Sequence, residues 1–159
     1  MHGETRRFLE GLAPFSSGET LDVGSRQFHN QWNPRAIFQR YLGLDFIDGP
    51  NVDLVLDAHW IPFPDSYFDN VMSSNTLEHD RDPKQTVHEM LRVLKPGGIF
   101  GLACPIEGYG AHEVQEAGGH YENPPLKGLL AWTDGLIDRK VEISMGDKYV
   151  TISGHKENP

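Results

Sequence analysis

The chain has 159 residues, 38% apolar and 23% charged, which excludes a disordered or fibrous protein and allows one domain over residues 1–159. Its 14 Lys and Arg face 23 Asp and Glu, a net charge of −9, and only Arg6-Arg7 and Arg139-Lys140 are adjacent cations. That balance argues against nucleic acid or an anionic membrane surface as partner. No apolar run approaches the roughly 20 residues of a membrane span, and the first residues do not read as a signal peptide. With Cys104 alone there is no intrachain disulfide, so the reducing cytoplasm is the expected location.

Residues 1–18 precede the first strand signal and are read as an N-terminal segment, with a lid as one role open to it. Thr20–Val23 is expected as a short strand ending at Gly24. Asn33 and Pro34 cap a helix expected over Pro34–Gln39. Tyr41–Phe46, Val52–Leu56 and Phe68–Ser73 follow as strands two to four. The clearest helix begins at Asp82-Pro83, repeats Val87, Met90, Leu91 and Leu94 on one face, and is expected to stop at Pro96-Gly97-Gly98. Ile99–Cys104 reads as a doubly buried strand. After a glycine-rich loop to about Tyr121, Pro125–Trp132 is expected as a short helix. Alternation at Val141, Ile143 and Met145, a two-residue turn at Gly146-Asp147, and Tyr149–Ile152 then read as an antiparallel hairpin. The outline is α/β: a Rossmann-like, mostly parallel sheet, helices on both faces and a C-terminal antiparallel hairpin.

Three stretches carry a family resemblance from Leu21 to Cys104. Residues Asp57-Ala58-His59-Trp60-Ile61-Pro62-Phe63-Pro64-Asp65-Ser66-Tyr67-Phe68-Asp69-Asn70-Val71 resemble the signature D-A-x-x-L-P-F-P-D-x-S-F-D-x-V. Leu77-Glu78-His79 matches L-E-H, and Arg92-Val93-Leu94-Lys95-Pro96-Gly97-Gly98 matches R-V-L-K-P-G-G. Together they resemble the class I S-adenosylmethionine-dependent methyltransferases of type 11. The resemblance implies S-adenosylmethionine as cofactor and S-adenosylhomocysteine as product.

In such a sheet, ligands bind beyond the carboxyl ends of the strands where the strand order reverses. Asp22, Gly24 and Ser25 end the first strand, where an acid suits the cofactor's amino group. Asp45 ends the second at the distance of a ribose-binding acid, with Phe46 placed to pack on adenine. By resemblance, Asp57 and Ala58 meet the adenine amino group. Asn75 and Thr76 follow the fourth strand, near the methyl group. Each of these acids also has an ordinary reading as a cap or turn residue, and Phe46 as core.

The loop after the first strand departs from the family's D-x-G-x-G-x-G. It reads Asp22-Val23-Gly24-Ser25-Arg26-Gln27-Phe28-His29, so Arg26 stands where a glycine normally gives room for the cofactor. Either Arg26 points away or the loop takes another path.

Methyl transfer is an in-line displacement in which positioning supplies much of the rate. If the acceptor must lose a proton, His79 and His112 are the candidate bases, with Glu78, Glu113, His120 and Tyr121 nearby in sequence. His112 and His120 with Glu113 or Glu116 match no compact zinc spacing, so no metal is expected. Cys104 reads as a small core residue.

The leading expectation is transfer of a methyl group to a small molecule, glycan or lipid-linked acceptor. A chain of this length lacks the cap of larger relatives, so acceptor contacts fall to the N-terminal segment, to Pro105–Tyr121, or to a second subunit in a homodimer. The alternative is a non-catalytic cofactor-binding or scaffolding module with a degenerate glycine loop. A nicotinamide-dependent oxidoreductase is disfavoured because G-x-G-x-x-G is absent.

Overall fold

A computed structural model describes residues 3–26, 33–110, 119–146 and 148–158. Seven strands, β1 (Glu19–Val23), β2 (Arg40–Asp45), β3 (Leu54–Val55), β4 (Phe68–Ser74), β5 (Leu94–Pro105), β6 (Leu136–Ser144) and β7 (Tyr149–Lys156), form one sheet in the order β3-β2-β1-β4-β5-β7-β6. The first five run parallel, whereas β7 is antiparallel to both β5 and β6. Helices α1 (Gly3–Leu12), α2 (Pro83–Val93) and α3 (Leu126–Trp132) complete the regular structure described.

Alternation along the strands divides the core between the two faces of the sheet. Leu21 and Val23 of β1, Val71 of β4, and Phe100 and Leu102 of β5 pack with Val87, Met90 and Val93 of α2 and Leu129 of α3. On the opposite face Met72 of β4 meets Leu9 of α1 and Phe38. Gly101 permits this second layer, because a β-carbon there would lie 2.6 Å from Leu12 Cδ1. The order of the strands reverses between β1 and β4, so the connections leaving the carboxyl ends of β1 and β4 run to opposite sides of one seam.

Several elements are shorter or longer than the sequence suggests. Asn33 does cap, accepting from the Arg35 amide at 3.0 Å, but Pro34–Ala36 is a single 3-10 turn rather than a helix to Gln39. The six residues Pro34–Gln39 give too little gain to extend a helical nucleus, and Phe38 turns into the core instead. β3 is two residues long, although the Asp53 and Leu56 amides still bond to β2 carbonyls on either side of it. α2 stops at Val93, earlier than the Pro-Gly-Gly signal, because Leu94 is already extended and pairs with Phe68. Pro96 enforces this, since the residue before a proline is driven out of the helical region. Between β6 and β7 the Lys148 N–H donates to Ser144 O at 3.1 Å, Met145 and Gly146 take turn conformation, and Asp147, the other half of the expected two-residue turn, lies outside the described residues.

Arg92 ties the stretch after β3 to α2. Its Nε and Nη2 donate to the two oxygens of Glu89 at 2.7 Å each, while Nη1 and Nη2 reach the Phe63 and Ile61 carbonyls at 2.9 and 2.8 Å. Nη1 also donates to Asp65 at 2.8 Å, and Glu89 accepts the Ile61 amide at 2.9 Å. A lysine keeps the charge but cannot form this fork. Arg92→Lys should therefore lose about 1–3 kcal/mol in urea unfolding, as expected for charge-assisted bonds whose partners are left part-buried; an unchanged midpoint would contradict the role.

Candidate functional site

The turn after β1 is built around a glycine with no alternative. Gly24 adopts φ +77°, and a β-carbon on it would fall on the Thr76 hydroxyl and methyl groups. Thr76 Oγ1 donates toward the Ser74 carbonyl at 3.1 Å and lies 3.4 Å from the carbonyls of Val23 and Gly24. The end of β1 thus packs directly against the segment leaving β4. The Gly24 and Ser25 amides both turn to the Leu44 carbonyl, at 2.7 and 3.0 Å, and Ser25 is buried. The Arg26 amide then donates to Asp45 Oδ2 at 3.1 Å.

Arg26, the residue in place of a family glycine, lies along the turn after β2. Its Cγ and Nε would be 2.9 Å from a β-carbon on Gly49. The side chain is thus carried towards Gly49, away from the seam between β1 and β4. Residues 27–32, which follow, lie outside the described residues.

Three acids end the first three strands, in different environments. Asp22 is buried and accepts the Tyr41 hydroxyl at 2.6 Å. Burial pushes its carboxyl up to about 7, the Tyr41 bond opposes this, and the charge of Asp45 adds to it. Asp45 is half-buried; Oδ1 accepts the Ile47 amide at 3.0 Å, and burial raises its pKa against the bonds from Ile47 and Arg26. Asp57 is open, with 71% of its side chain exposed, and accepts the His59 amide at 2.9 Å. Ala58 beside it packs half-buried on the larger core.

Exposed aromatic rings stand at the same end of the sheet. Phe46 is 55% exposed and Trp60 78% exposed. These rings next to Asp45 and Asp57 fit a flat heterocycle flanked by hydroxyl and amino donors. Phe46 is therefore not core.

His59 links two strand ends. Its Nε2 lies 2.7 Å from Asp80 and its Nδ1 3.1 Å from Asp57. Burial opposes its charge, but the bond and charge of Asp80, with the charges of Asp57 and Asp82, outweigh it and hold the ring above its ordinary 6.5.

After β4, Asn75 takes φ +51°, a left-handed position that asparagine tolerates. Its side chain closes a ring of three bonds: Tyr149 Oη donates to Asn75 Oδ1 at 2.9 Å, Asn75 Nδ2 to Thr5 Oγ1 at 3.4 Å, and the Thr5 and Tyr149 hydroxyls meet at 2.6 Å. α1 is thereby fastened to the carboxyl end of β4. A 3-10 turn, Leu77–His79, comes next. His79 Nδ1 contacts the His120 carbonyl at 3.0 Å, and its ring meets Tyr121 edge-on at 5.3 Å between centroids. The Glu122 amide donates to the Glu78 carbonyl at 2.7 Å, which lays the returning segment over this turn.

The structure thus gathers Gly24, Ser25, Asp45, Thr76 and Asn75 at one end of the sheet, with Phe46, Asp57 and Ala58 along the same rim. Asp22 is at the end of β1, but its carboxyl is engaged by Tyr41. His112, Glu113 and Glu116 lie outside the described residues. Among the described residues, no group of three His, Cys, Asp or Glu is placed to hold a metal, and no helix is long and apolar enough to cross a membrane. Cys104 is buried in the larger core. The sequence reading missed Tyr41 as the partner of Asp22, the Thr5–Tyr149–Asn75 ring, and the burial of Glu78. No local sequence signal pointed to the first of these, because it depends on the register of β1 on β2, which pairs Asp22 with Gly43.

Residues 21–102 match the family described as the methyltransferase domain. An uncharacterized methyltransferase of Mycobacterium leprae is 45% identical over 56 residues, 34% of this chain and 21% of that protein. The match therefore spans about a fifth of that relative's length. Among solved structures, the YcgJ protein of Bacillus subtilis aligns with TM-score 0.68 at 16% identity, covering 97% of this chain and 100% of that one. Phosphoethanolamine N-methyltransferase 2 of Haemonchus contortus, solved with S-adenosyl-L-methionine, aligns with TM-score 0.74 at 16% identity over 98% of this chain and 52% of that one. The fold is that of the class I, S-adenosylmethionine-dependent methyltransferases. The chain belongs to the methyltransferase domain family.

The raised His59 value gives a signed prediction. A group whose folded pKa exceeds its unfolded one stabilises fully below the unfolded value, here 6.5, and loses that contribution as pH rises through the folded value. The stability gap between wild type and His59→Asn should be widest below pH 6.5 and narrow as pH rises above it in urea unfolding. A gap independent of pH would remove the ionic role.

Proposed function

We propose that this protein transfers the methyl group of S-adenosylmethionine to a small-molecule, glycan or lipid-linked acceptor. The observation that carries the reading is the convergence of Asp45, Phe46 and Asp57 on the carboxyl end of the sheet, beside the Gly24–Thr76 contact. When bound, the cofactor supplies an electrophilic methyl group on a sulfonium. Asp45 is the residue for the ribose hydroxyls, Asp57 and Ala58 for the adenine amino group, and Phe46 for the adenine face. Asp22 and the amide turn at Gly24-Ser25 lie nearest the amino-acid part. Asn75 and Thr76 border the methyl, and the segment around His79, His120 and Tyr121 borders the acceptor.

His79 acts in this reading mainly by position. Its bond to the His120 carbonyl and its contact with Tyr121 hold the returning segment over the crevice. His112 remains a proposed base in the same loop. A homodimer completing the acceptor side, and a cytoplasmic location, are also part of the proposal.

The second reading, a cofactor-binding module without turnover, is favoured by one feature: Arg26 in place of the family glycine. The two readings share the cofactor and differ in whether methyl groups leave it.

Calorimetric titration with S-adenosylhomocysteine tests the site. Wild type should bind in the micromolar range, and Asp45→Ala and Asp57→Ala should each weaken binding about tenfold or more, the loss of one or two polar contacts. Absence of binding by folded wild type would overturn the assignment. Equal binding by both variants would move the cofactor elsewhere.

A further inference from the structure

Glu78 is 0% exposed, yet among the described residues neither of its carboxyl oxygens has a hydrogen-bond partner. A buried carboxyl left unpaired is costly and rare in a folded protein. Nothing in the packing requires one: Leu77 beside it fills the core, and the carbonyl of Glu78, not its side chain, receives the Glu122 amide.

Its place is specific. The 3-10 turn that carries it begins directly after Thr76, which fixes the seam between β1 and β4. Among the described residues, the titratable groups around it are Cys104 at the end of β5, Tyr121 of the returning segment and Tyr149 of β7, with His79 next in the chain. Its charge acts on the thiol and on both phenols, raising all three beyond what burial does. Burial also pushes Glu78 itself up to about 8, against the opposing pull of its own backbone amide.

We propose that the Glu78 carboxylate faces the transferring methyl group and takes the acceptor's proton, which makes the acceptor an O–H or N–H nucleophile. The inference rests on the methyl-transfer reading above. As the acceptor oxygen or nitrogen forms its bond to the methyl carbon, the carbon–sulfur bond breaks and its electron pair stays on sulfur. The proton released from the acceptor goes to a Glu78 oxygen. A carboxyl that accepts from no side chain among the described residues is ready for that bond, and a base titrating near the working pH serves best. His79, held through Nδ1, is then a positioning residue for the segment that covers Glu78.

The test needs no acceptor. Sinefungin places a cationic amine where the sulfonium methyl would be, whereas S-adenosylhomocysteine carries nothing there. In calorimetry at pH about 9, wild type should prefer sinefungin over S-adenosylhomocysteine by about tenfold or more, the worth of one charge-assisted bond. Glu78→Gln should abolish the preference while leaving S-adenosylhomocysteine affinity within about twofold.

A measurement on wild type alone guards against misfolding of the variant. The preference should grow as pH rises through about 8, where the carboxyl ionises. Groups such as Asp22 that face parts common to both ligands cancel in the ratio. A preference that is absent, or the same in Glu78→Gln and at every pH, overturns the proposal. Failure of wild type to bind S-adenosylhomocysteine at all instead overturns the methyl-transfer reading, and this inference with it.

Discussion

The carboxyl end of the sheet is organised by one steric fact: there is no room at Gly24 for a β-carbon, because Thr76 is already there. The left-handed turn this allows directs two amides to the Leu44 carbonyl and delivers the Arg26 amide to Asp45. The ends of β1, β2 and β4 are thus joined across the point where the strand order reverses. Ligands bind at such a point because the two connections diverge there and leave a crevice. Here the strand ends on either side of that point are fixed by backbone and short side chains, which lose little entropy on ordering.

The other face is held from a distance. Thr5 of α1 and Tyr149 of β7 meet Asn75 in a closed set of bonds, so the N-terminal helix and the antiparallel strand both brace the exit from β4. Low dielectric strengthens such a network, and the same low dielectric makes an unpaired group expensive. Glu78, three residues after Asn75, is that unpaired group. Among the described residues Ser25 Oγ and Asn123 Oδ1 are also buried without a partner, but Glu78 is the one ionisable group left so, the pattern expected when stability has been given up at a site of use.

The sequence made the ends of the first three strands legible because an acid lies within two residues of each: Asp22 inside β1, Asp45 at the end of β2 and Asp57 just beyond β3. The structure keeps all three near their strand ends, Asp57 two residues past a β3 shorter than expected, and Asp82 caps α2 as expected. Local pattern was weaker where tertiary pairing decides. The stretch after Asn33 became one 3-10 turn because Phe38 is drawn into the second core, and β3 was cut to two residues at the sheet edge. Long-range side-chain partners were not legible at all. Nothing local tells Asp22 that Tyr41 will lie against it, or Thr5 that Tyr149 will. Arg26 was read as a departure from the family pattern with two outcomes, and its position along Gly49 selects the one in which the side chain is carried off the seam.

The central claim is that the cofactor occupies the crevice framed by Gly24, Asp45, Asp57 and Thr76. Backbone amide mapping by two-dimensional NMR, with S-adenosylhomocysteine added to the intact chain, tests it directly. The account predicts shifts concentrated at residues 24–26, 45–47, 57–59 and 75–79, with residues 95–98 at the opposite end of the sheet unmoved. Shifts centred on that opposite end, or spread without focus, would contradict it.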